Sequence, residues 1–168
     1  MLIEEYLKTL KEPLWKSTLC FLLSSDQILL GKKKRGLGFG NYLGIGGKVE
    51  KEEGIINATV REMQEEICVT PNDLQKVAVL TFLFPYEPKW NQEVHAFISH
   101  KWEGSPKETD EIAPKWFDLS KIPYDQMWID AQFWVPEVLK GNKLRATFQY
   151  DHDLKISHQR ITKTNHFD

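Results

Sequence analysis

The sequence has few cysteines, no long apolar segment and almost no net charge. Its 168 residues contain two cysteines, Cys20 and Cys68, and neither has a partner at metal-binding spacing, so we expect both to be reduced. No segment approaches the roughly 18 consecutive apolar residues of a transmembrane helix, and the first 15 residues lack the apolar run of a signal peptide. We therefore expect a cytoplasmic protein rather than a membrane or secreted one.

Charge and length narrow the class further. The 22 Lys and Arg residues and 24 Asp and Glu residues give a formal net charge of −2. This balance provides no general attraction to nucleic acid or to an acidic membrane surface, so we expect neither as a partner. The length suits one domain with a single core, and we expect a monomer or a homodimer.

An acidic segment, Arg-Glu-Met-Gln-Glu-Glu at residues 61–66, dominates what is present. An α-helix turns about 100° per residue, so Glu62, Glu65 and Glu66 would share one face. Clustered carboxylates repel one another, and Mg²⁺ or Mn²⁺ between them would offset that repulsion. The alternative is an ordinary solvated helix face. The opposite face is expected to meet the core through Ile56, Val60, Met63 and Ile67.

Glycines lie immediately before this helix and favour a phosphate site. Gly44, Gly46 and Gly47 occupy residues 44–47, where glycine allows close approach of the backbone to a ligand. Lys48 follows them and is a candidate phosphate ligand together with Gly47. Lys33, in a run of four cations that leads into the same region, is a further candidate phosphate ligand.

The spacing of these residues resembles the signature of the Nudix family, G-x5-E-x7-R-E-U-x-E-E-x-G-U, where U is aliphatic. Gly47, Glu53, the Arg61-Glu62 pair and the Glu65-Glu66 pair occupy its fixed positions, and only the last glycine is replaced, by Cys68. The resemblance implies an α/β fold, an α/β/α sandwich with a mixed, partly antiparallel sheet. The acidic helix would lie on one side, and a helix following Trp128 on the other.

The resemblance extends to the MutT homologues that hydrolyse oxidised purine nucleoside triphosphates such as 8-oxo-dGTP. It implies a magnesium-dependent enzyme, with manganese as a substitute, that releases a nucleoside monophosphate and pyrophosphate and so cleanses the nucleotide pool. Glu66 would bind metal and Arg61 would orient Glu65, while either Glu62 or Glu111 would accept the proton of the attacking water. The implied metal ligands are the Gly46 carbonyl, Glu62, Glu65, Glu66 and Glu111.

The same resemblance implies a base site. Phe82 and Trp128 would flank the base, and Asp130 would meet its polar edge. Two positions depart from the related enzymes: Leu43 stands where they have asparagine, and Ala131 where they have a second aspartate. Because both losses remove hydrogen-bonding groups, they put the preference for 8-oxoguanine in doubt.

The remaining sequence divides simply. We expect a helical appendage over 1–16, the catalytic domain over 17–161 and a flexible tail over 162–168. Strands are predicted at 18–23, 28–33, 76–84, 93–99, 115–119, 144–150 and 154–161.

Two other functions stay open. One is hydrolysis of a different nucleoside diphosphate-linked substrate. The other is a non-catalytic module that binds nucleotide, although such a module would be expected to have lost its carboxylates.

Overall fold

The computed structural model describes residues 1–167. The helices are α1 (Ile3–Thr9), α2 (Ile55–Ile67) and α3 (Ala131–Leu139). The strands are β1 (Trp15–Leu23), β2 (Gln27–Lys33), β3 (Tyr42–Leu43), β4 (Thr70–Asn72), β5 (Gln75–Leu83), β6 (Gln92–Ser99), β7 (Lys101–Glu103), β8 (Ile112–Asp118), β9 (Lys143–Tyr150) and β10 (Ile156–Thr164). All seven strands expected from the sequence are present, with ends that differ by three residues or fewer.

The main sheet is mixed, as the sequence predicted. Its order is β10-β9-β5-β6-β1-β2-β3, and β8 pairs with β2. Two pairings are parallel, β1 with β6 and β5 with β9, and the others are antiparallel. A small second sheet joins β4 to β7.

Alternation along β1 places the sheet between two helices. Leu22 faces a core cluster that contains Met63 of α2, whereas Phe21 faces a cluster that contains Trp134 and Val135 of α3. Because successive strand residues point to opposite faces, one strand serves both cores. The predicted α/β/α sandwich is confirmed.

Helix α2 is rotated slightly from the predicted orientation. Its core stripe advances four residues at a time through Ile55, Thr59, Met63 and Ile67. Ile56 lies one residue, or about 100°, away from this stripe and is 49% exposed, so its predicted place in the core was wrong. The rotation leaves Glu62 buried beside the stripe, with only 9% of its surface exposed.

Cys68 ends α2 in the left-handed conformation, with φ 62° and ψ 34°. Its backbone N–H donates to the Gln64 and Met63 carbonyls. Glycine adopts this conformation without strain. Cys68, which stands where the Nudix signature has glycine, therefore introduces backbone strain at the end of α2.

The two ends of the chain are built into the fold. Ile3 and Tyr6 of α1 pack on Leu83, and the Tyr6 hydroxyl accepts a 2.8 Å hydrogen bond from the Asn91 side chain. Strand β10 pairs with β9 as far as Thr164, so residues 162–164 of the expected tail are strand. Asp168, the last residue of that tail, lies outside the described residues. Across residues 1–167, the helices include none with the length and apolarity to cross a membrane.

Candidate metal and nucleotide site

A cavity of about 360 Å³ lies between the glycine loop, residues 44–47, and the acidic face of α2. We call it the carboxylate cavity. It brings together most of the residues that the sequence singled out. Its walls are Lys33, Leu43, Gly46, Gly47, Glu62, Glu65, Glu66, Glu111 and Ile112.

The glycine loop lies flat against β1. The Thr18 N–H donates to the Gly47 carbonyl at 2.8 Å, and the Cys20 N–H donates to the Ile45 carbonyl at 2.7 Å. A Cβ added at Gly46 would lie 1.9 Å from the Thr18 carbonyl oxygen, so this approach requires glycine. Successive carbonyls of an extended segment point to opposite sides, so the Gly46 carbonyl points away from β1. Within residues 1–167 it accepts no hydrogen bond from the protein.

Gly47 makes room for Glu62. A Cβ at Gly47 would lie 2.6 Å from the Glu62 carboxyl carbon, so the missing side chain allows the carboxylate to rest against the loop. This contact joins the glycine loop to α2. It also holds Glu62 at the edge of the cavity.

Arg61 forms hydrogen bonds to three glutamates, Glu53, Glu62 and Glu65. Its Nε and one terminal nitrogen donate to both oxygens of Glu53, at 2.7 and 2.8 Å. The other terminal nitrogen donates to Glu62 at 3.0 Å and to Glu65 at 3.2 Å. Arg61 also donates to the Lys48 carbonyl at 3.1 Å, which ties α2 to the loop. It does not line the cavity, which is the position of an orienting residue.

Lys48 and Lys33 take different positions. The Lys48 ammonium lies over the Trp15 ring, 5.0 Å from its centroid, and Lys48 is not among the residues of the cavity wall. Lys33 does line the cavity. Of the two predicted phosphate-binding lysines, the structure therefore places Lys33 with the carboxylates.

The electrostatics of the cavity indicate an excess of negative charge. Burial, followed by repulsion from Glu62 and Glu111, raises the pKa of Glu66 to about 7. Burial also raises the pKa of Glu62, although Arg61 opposes this shift. In contrast, hydrogen bonding to Arg35 lowers the pKa of Glu111. An added positive charge would stabilise the ionised carboxylates.

The donor set fits a hard divalent cation. It consists of carboxylate oxygens and a carbonyl without a donor, and these are the ligands that Mg²⁺ and Mn²⁺ prefer. Among residues 1–167 no three acidic, His or Cys side chains already converge on a single point. Arg61 holds Glu62 and Glu65 on one side, and Arg35 holds Glu111 on the other. Metal binding would require these side chains to turn inward.

The predicted base residues lie beyond the cavity, with the exception of Leu43. Trp128 contacts Phe84 and Tyr150 edge to face, with centroids 6.1 and 5.5 Å apart. Its Nε1 lies 3.0 Å from the position that a Cβ would take on Gly38, a position that is also 3.9 Å from Lys33. Trp128 is therefore close to the lysine of the cavity wall. Phe82 stacks on Phe148 at 5.9 Å.

Asp130 is buried and hydrogen-bonded within the fold. It is 5% exposed, and its carboxylate accepts hydrogen bonds from the Tyr150 hydroxyl and, at 2.8 Å, from Trp134 Nε1. The sequence did not indicate these partners. It also missed Arg35 as the partner of Glu111, because the two residues are 76 positions apart and only the pairing of β2 with β8 brings their segments together.

The chain is similar in sequence and in fold to known proteins. The NUDIX domain family matches residues 13–138, which include the glycine loop, α2 and Glu111. The chain is 39% identical over 143 residues to the oxidized purine nucleoside triphosphate hydrolase of Danio rerio, covering 84% of this chain and 91% of the relative. The enzyme of the same name from Mus musculus is 37% identical, covering 84% and 90%. The crystal structure of a mutator MutT protein from Bacillus halodurans superposes with a TM-score of 0.78 at 25% identity, covering 88% and 97%.

Proposed function

Because the chain belongs to the Nudix hydrolase family, we propose that it is a magnesium-dependent pyrophosphohydrolase of purine nucleoside triphosphates. Mn²⁺ would also suit the site. The products are a nucleoside monophosphate and pyrophosphate, and oxidised purine nucleotides are among the substrates, as the names of its relatives suggest. The observation that carries the proposal is that Glu62, Glu65, Glu66, Glu111, Gly46 and Lys33 line one cavity.

The metal ligands follow from this geometry. Glu65, Glu66 and the Gly46 carbonyl would hold the cation, and Glu62 and Glu111, which line the same cavity, would complete the set after turning inward. When bound, the metal lowers the pKa of a water molecule and neutralises charge on the phosphoryl oxygens. Burial and repulsion from Glu62 and Glu111 raise the pKa of Glu66, and a bound cation would lower it.

The protein's own groups then position the reactants. Lys33 binds an oxygen of the triphosphate, because it is the cation on the cavity wall. Arg61 keeps Glu62 and Glu65 in place through its hydrogen bonds. We assign proton acceptance to Glu62, since burial raises its pKa, whereas the hydrogen bond from Arg35 lowers the pKa of Glu111.

The base end is formed by aromatic side chains. We place the base against Trp128, which lies near Lys33, with Phe82 and Leu43 as further walls. Stacking on aromatic side chains contributes about 1–3 kcal/mol per base and tolerates different bases. This arrangement suits purines, whose two fused rings offer a large stacking area.

The test is the substitution Glu66→Gln, which keeps the side-chain volume and removes the charge. Pyrophosphate release from dGTP, 8-oxo-dGTP and 2-oxo-dATP is measured with Mg²⁺, and kcat/KM is expected to fall about 100-fold or more. The control is Glu103→Gln, an exposed glutamate on β7, which should leave the rate unchanged.

A rate for Glu66→Gln within about threefold of the parent, under 1 kcal/mol, would sink the metal-ligand assignment. ADP-ribose is included as a competing substrate. If it is hydrolysed much faster than any triphosphate, a diphosphate-linked compound is the natural substrate instead. If the parent turns over none of these compounds, the chain is a binding module.

A further inference from the structure

The N-terminal segment, by which we mean residues 1–9 with helix α1, is attached to the sheet at one end of its strands. Tyr6 of α1 packs on Leu83, the last residue of β5, and Leu83 is fully buried. The side-chain amide of Asn91, directly before β6, donates a 2.8 Å hydrogen bond to the Tyr6 hydroxyl. The side-chain amide of Gln149 in β9 donates a 2.7 Å hydrogen bond to the backbone carbonyl of the first residue. The segment therefore contacts three neighbouring strands.

The strand residues that this segment contacts are followed by aromatic residues. Leu83 pairs with Gln149 in the parallel register of β5 and β9. Phe84 and Tyr150 come directly after them, and successive residues of an extended chain point to opposite faces of a sheet. Phe84 and Tyr150 accordingly lie in the core cluster on the α3 side, where their rings stack with centroids 5.2 Å apart. The N-terminal segment thus holds one face of two strands whose opposite face carries this aromatic pair.

Asn91 connects the segment to the backbone of Phe84. It is 4% exposed, and its side-chain oxygen accepts a 2.6 Å hydrogen bond from the Phe84 backbone N–H. Its side-chain nitrogen donates to the Tyr6 hydroxyl. Trp90, which precedes Asn91, contacts the Phe84 ring edge to face with centroids 5.6 Å apart. Because a buried amide without an acceptor is costly, the Tyr6 hydroxyl stabilises this position of Asn91 and, through it, that of Phe84.

The same aromatic rings support the proposed base site. Trp128, against which we place the base, lies 6.1 Å from the Phe84 ring and 5.5 Å from the Tyr150 ring, measured between centroids. Both contacts are edge to face, so the plane of Trp128 depends on where those two rings lie. The carboxylate cavity is lined by other residues, from the segments 33–66 and 111–112. A displacement of the N-terminal segment would therefore disturb the base end and leave the carboxylates in place.

We propose that the N-terminal segment positions the aromatic wall for the nucleobase, and that Tyr6 is the positioning residue through which it acts. This inference rests on the proposed function and assigns a role to α1, which lies outside residues 13–138, the part of the chain that matches the family. The segment acts on the binding of the base and not on the cleavage of the phosphate chain. Tyr6 acts through Leu83 and Asn91 rather than through a contact of its own with the substrate.

The experiment compares two substrates that differ only in the base: dGTP, and 2-deoxyribose 5-triphosphate, which has none. The ratio of their kcat/KM values with Mg²⁺ measures what the base contributes. In the parent the ratio is expected to be about tenfold or more, because stacking on an aromatic side chain contributes roughly 5-fold to 150-fold per base. Tyr6→Ala should lower the ratio at least about fivefold, while kcat/KM for the abasic triphosphate stays within about twofold of the parent.

Two further variants separate this role from a loss of stability. Val69→Ala is the matched control, because Val69 is fully buried in the core cluster beside α2 and its truncation loosens the fold away from the N-terminal segment. It should leave the ratio unchanged. Tyr6→Phe keeps the ring and removes only the hydroxyl, so it should lower the ratio at least about twofold, and it replaces Tyr6→Ala if that variant does not fold. Calorimetric titration with dGMP, which needs no turnover, should show the same order of affinities.

The outcomes are distinct. A folded Tyr6→Ala whose ratio stays within twofold of the parent overturns the inference. An equal fall in kcat/KM for the two substrates also overturns it, because the segment would then support the whole site and not the base end. Failure of the parent to release pyrophosphate from either triphosphate refutes the proposed function instead, and the dGMP titrations then decide the role of Tyr6 alone.

Discussion

Gly47→Ala tests how closely activity depends on the contact between the glycine loop and α2. The new Cβ would lie 2.6 Å from the carboxyl carbon and one oxygen of Glu62, and 2.7 Å from the other oxygen. Ordinary contacts begin near 3.4 Å, so the carboxylate must retreat by about 0.8 Å. Gly47 is not in the left-handed region, and alanine therefore adds no backbone strain.

Gly47→Ala should reduce both the reaction rate and the free energy of unfolding. Glu62 is 9% exposed and holds a 3.0 Å hydrogen bond from Arg61, so its carboxylate cannot move without disturbing that pair. Misplacing a reactive group by about 1 Å costs roughly 100-fold in rate, or about 2.7 kcal/mol. The overpacking itself should reduce the free energy of unfolding by about 1–3 kcal/mol.

The assay is pyrophosphate release from dGTP with Mg²⁺, together with urea unfolding of each variant. The control is Gly54→Ala at the start of α2, where an added Cβ lies 3.9 Å from the nearest heavy atom and φ is −74°. That variant should keep parental activity. If Gly47→Ala retains kcat/KM within about threefold while Gly54→Ala does too, the position of Glu62 does not limit the reaction.

Two further predictions concern stability. Cys68→Gly should raise the free energy of unfolding by about 1 kcal/mol, because it relieves a left-handed non-glycine residue, and Cys68→Ala, which keeps the Cβ, should bring no gain in urea unfolding. Tyr6→Phe should lower the free energy of unfolding by about 1–3 kcal/mol, because it removes the acceptor of the buried Asn91 amide. Tyr86→Phe, at an exposed position, is its control in thermal unfolding, and equal effects for the two variants would contradict the reasoning.

Much of the carboxylate cavity could be predicted from local sequence. The positions of Glu62, Glu65 and Glu66 within one helix place them on one face whatever the rest of the fold does. The run of apolar residues from Leu19 to Leu23 likewise predicts a strand. Gly46 and Gly47 could be recognised as sites of close approach, and the structure shows what they approach: the Thr18 carbonyl and the Glu62 carboxylate.

Other features depend on pairings that no local pattern contains. Arg35 reaches Glu111 only because β2 pairs with β8, and Tyr6 reaches Asn91 only because α1 packs on the end of β5. The rotation of α2 about its own axis, which exposes Ile56, is set by the packing of the helix on the sheet. The helical period of the sequence cannot specify that rotation to within one residue.

The sequence by itself determined the carboxylate face and the glycine loop, since each depends on spacings of a few residues along one element, and the resemblance to the Nudix family implied the fold class. Tertiary structure alone decided the direction of Asp130. Its partners come from β9 and from the next turn of α3, and a buried carboxylate turns toward whichever donors the packed fold presents.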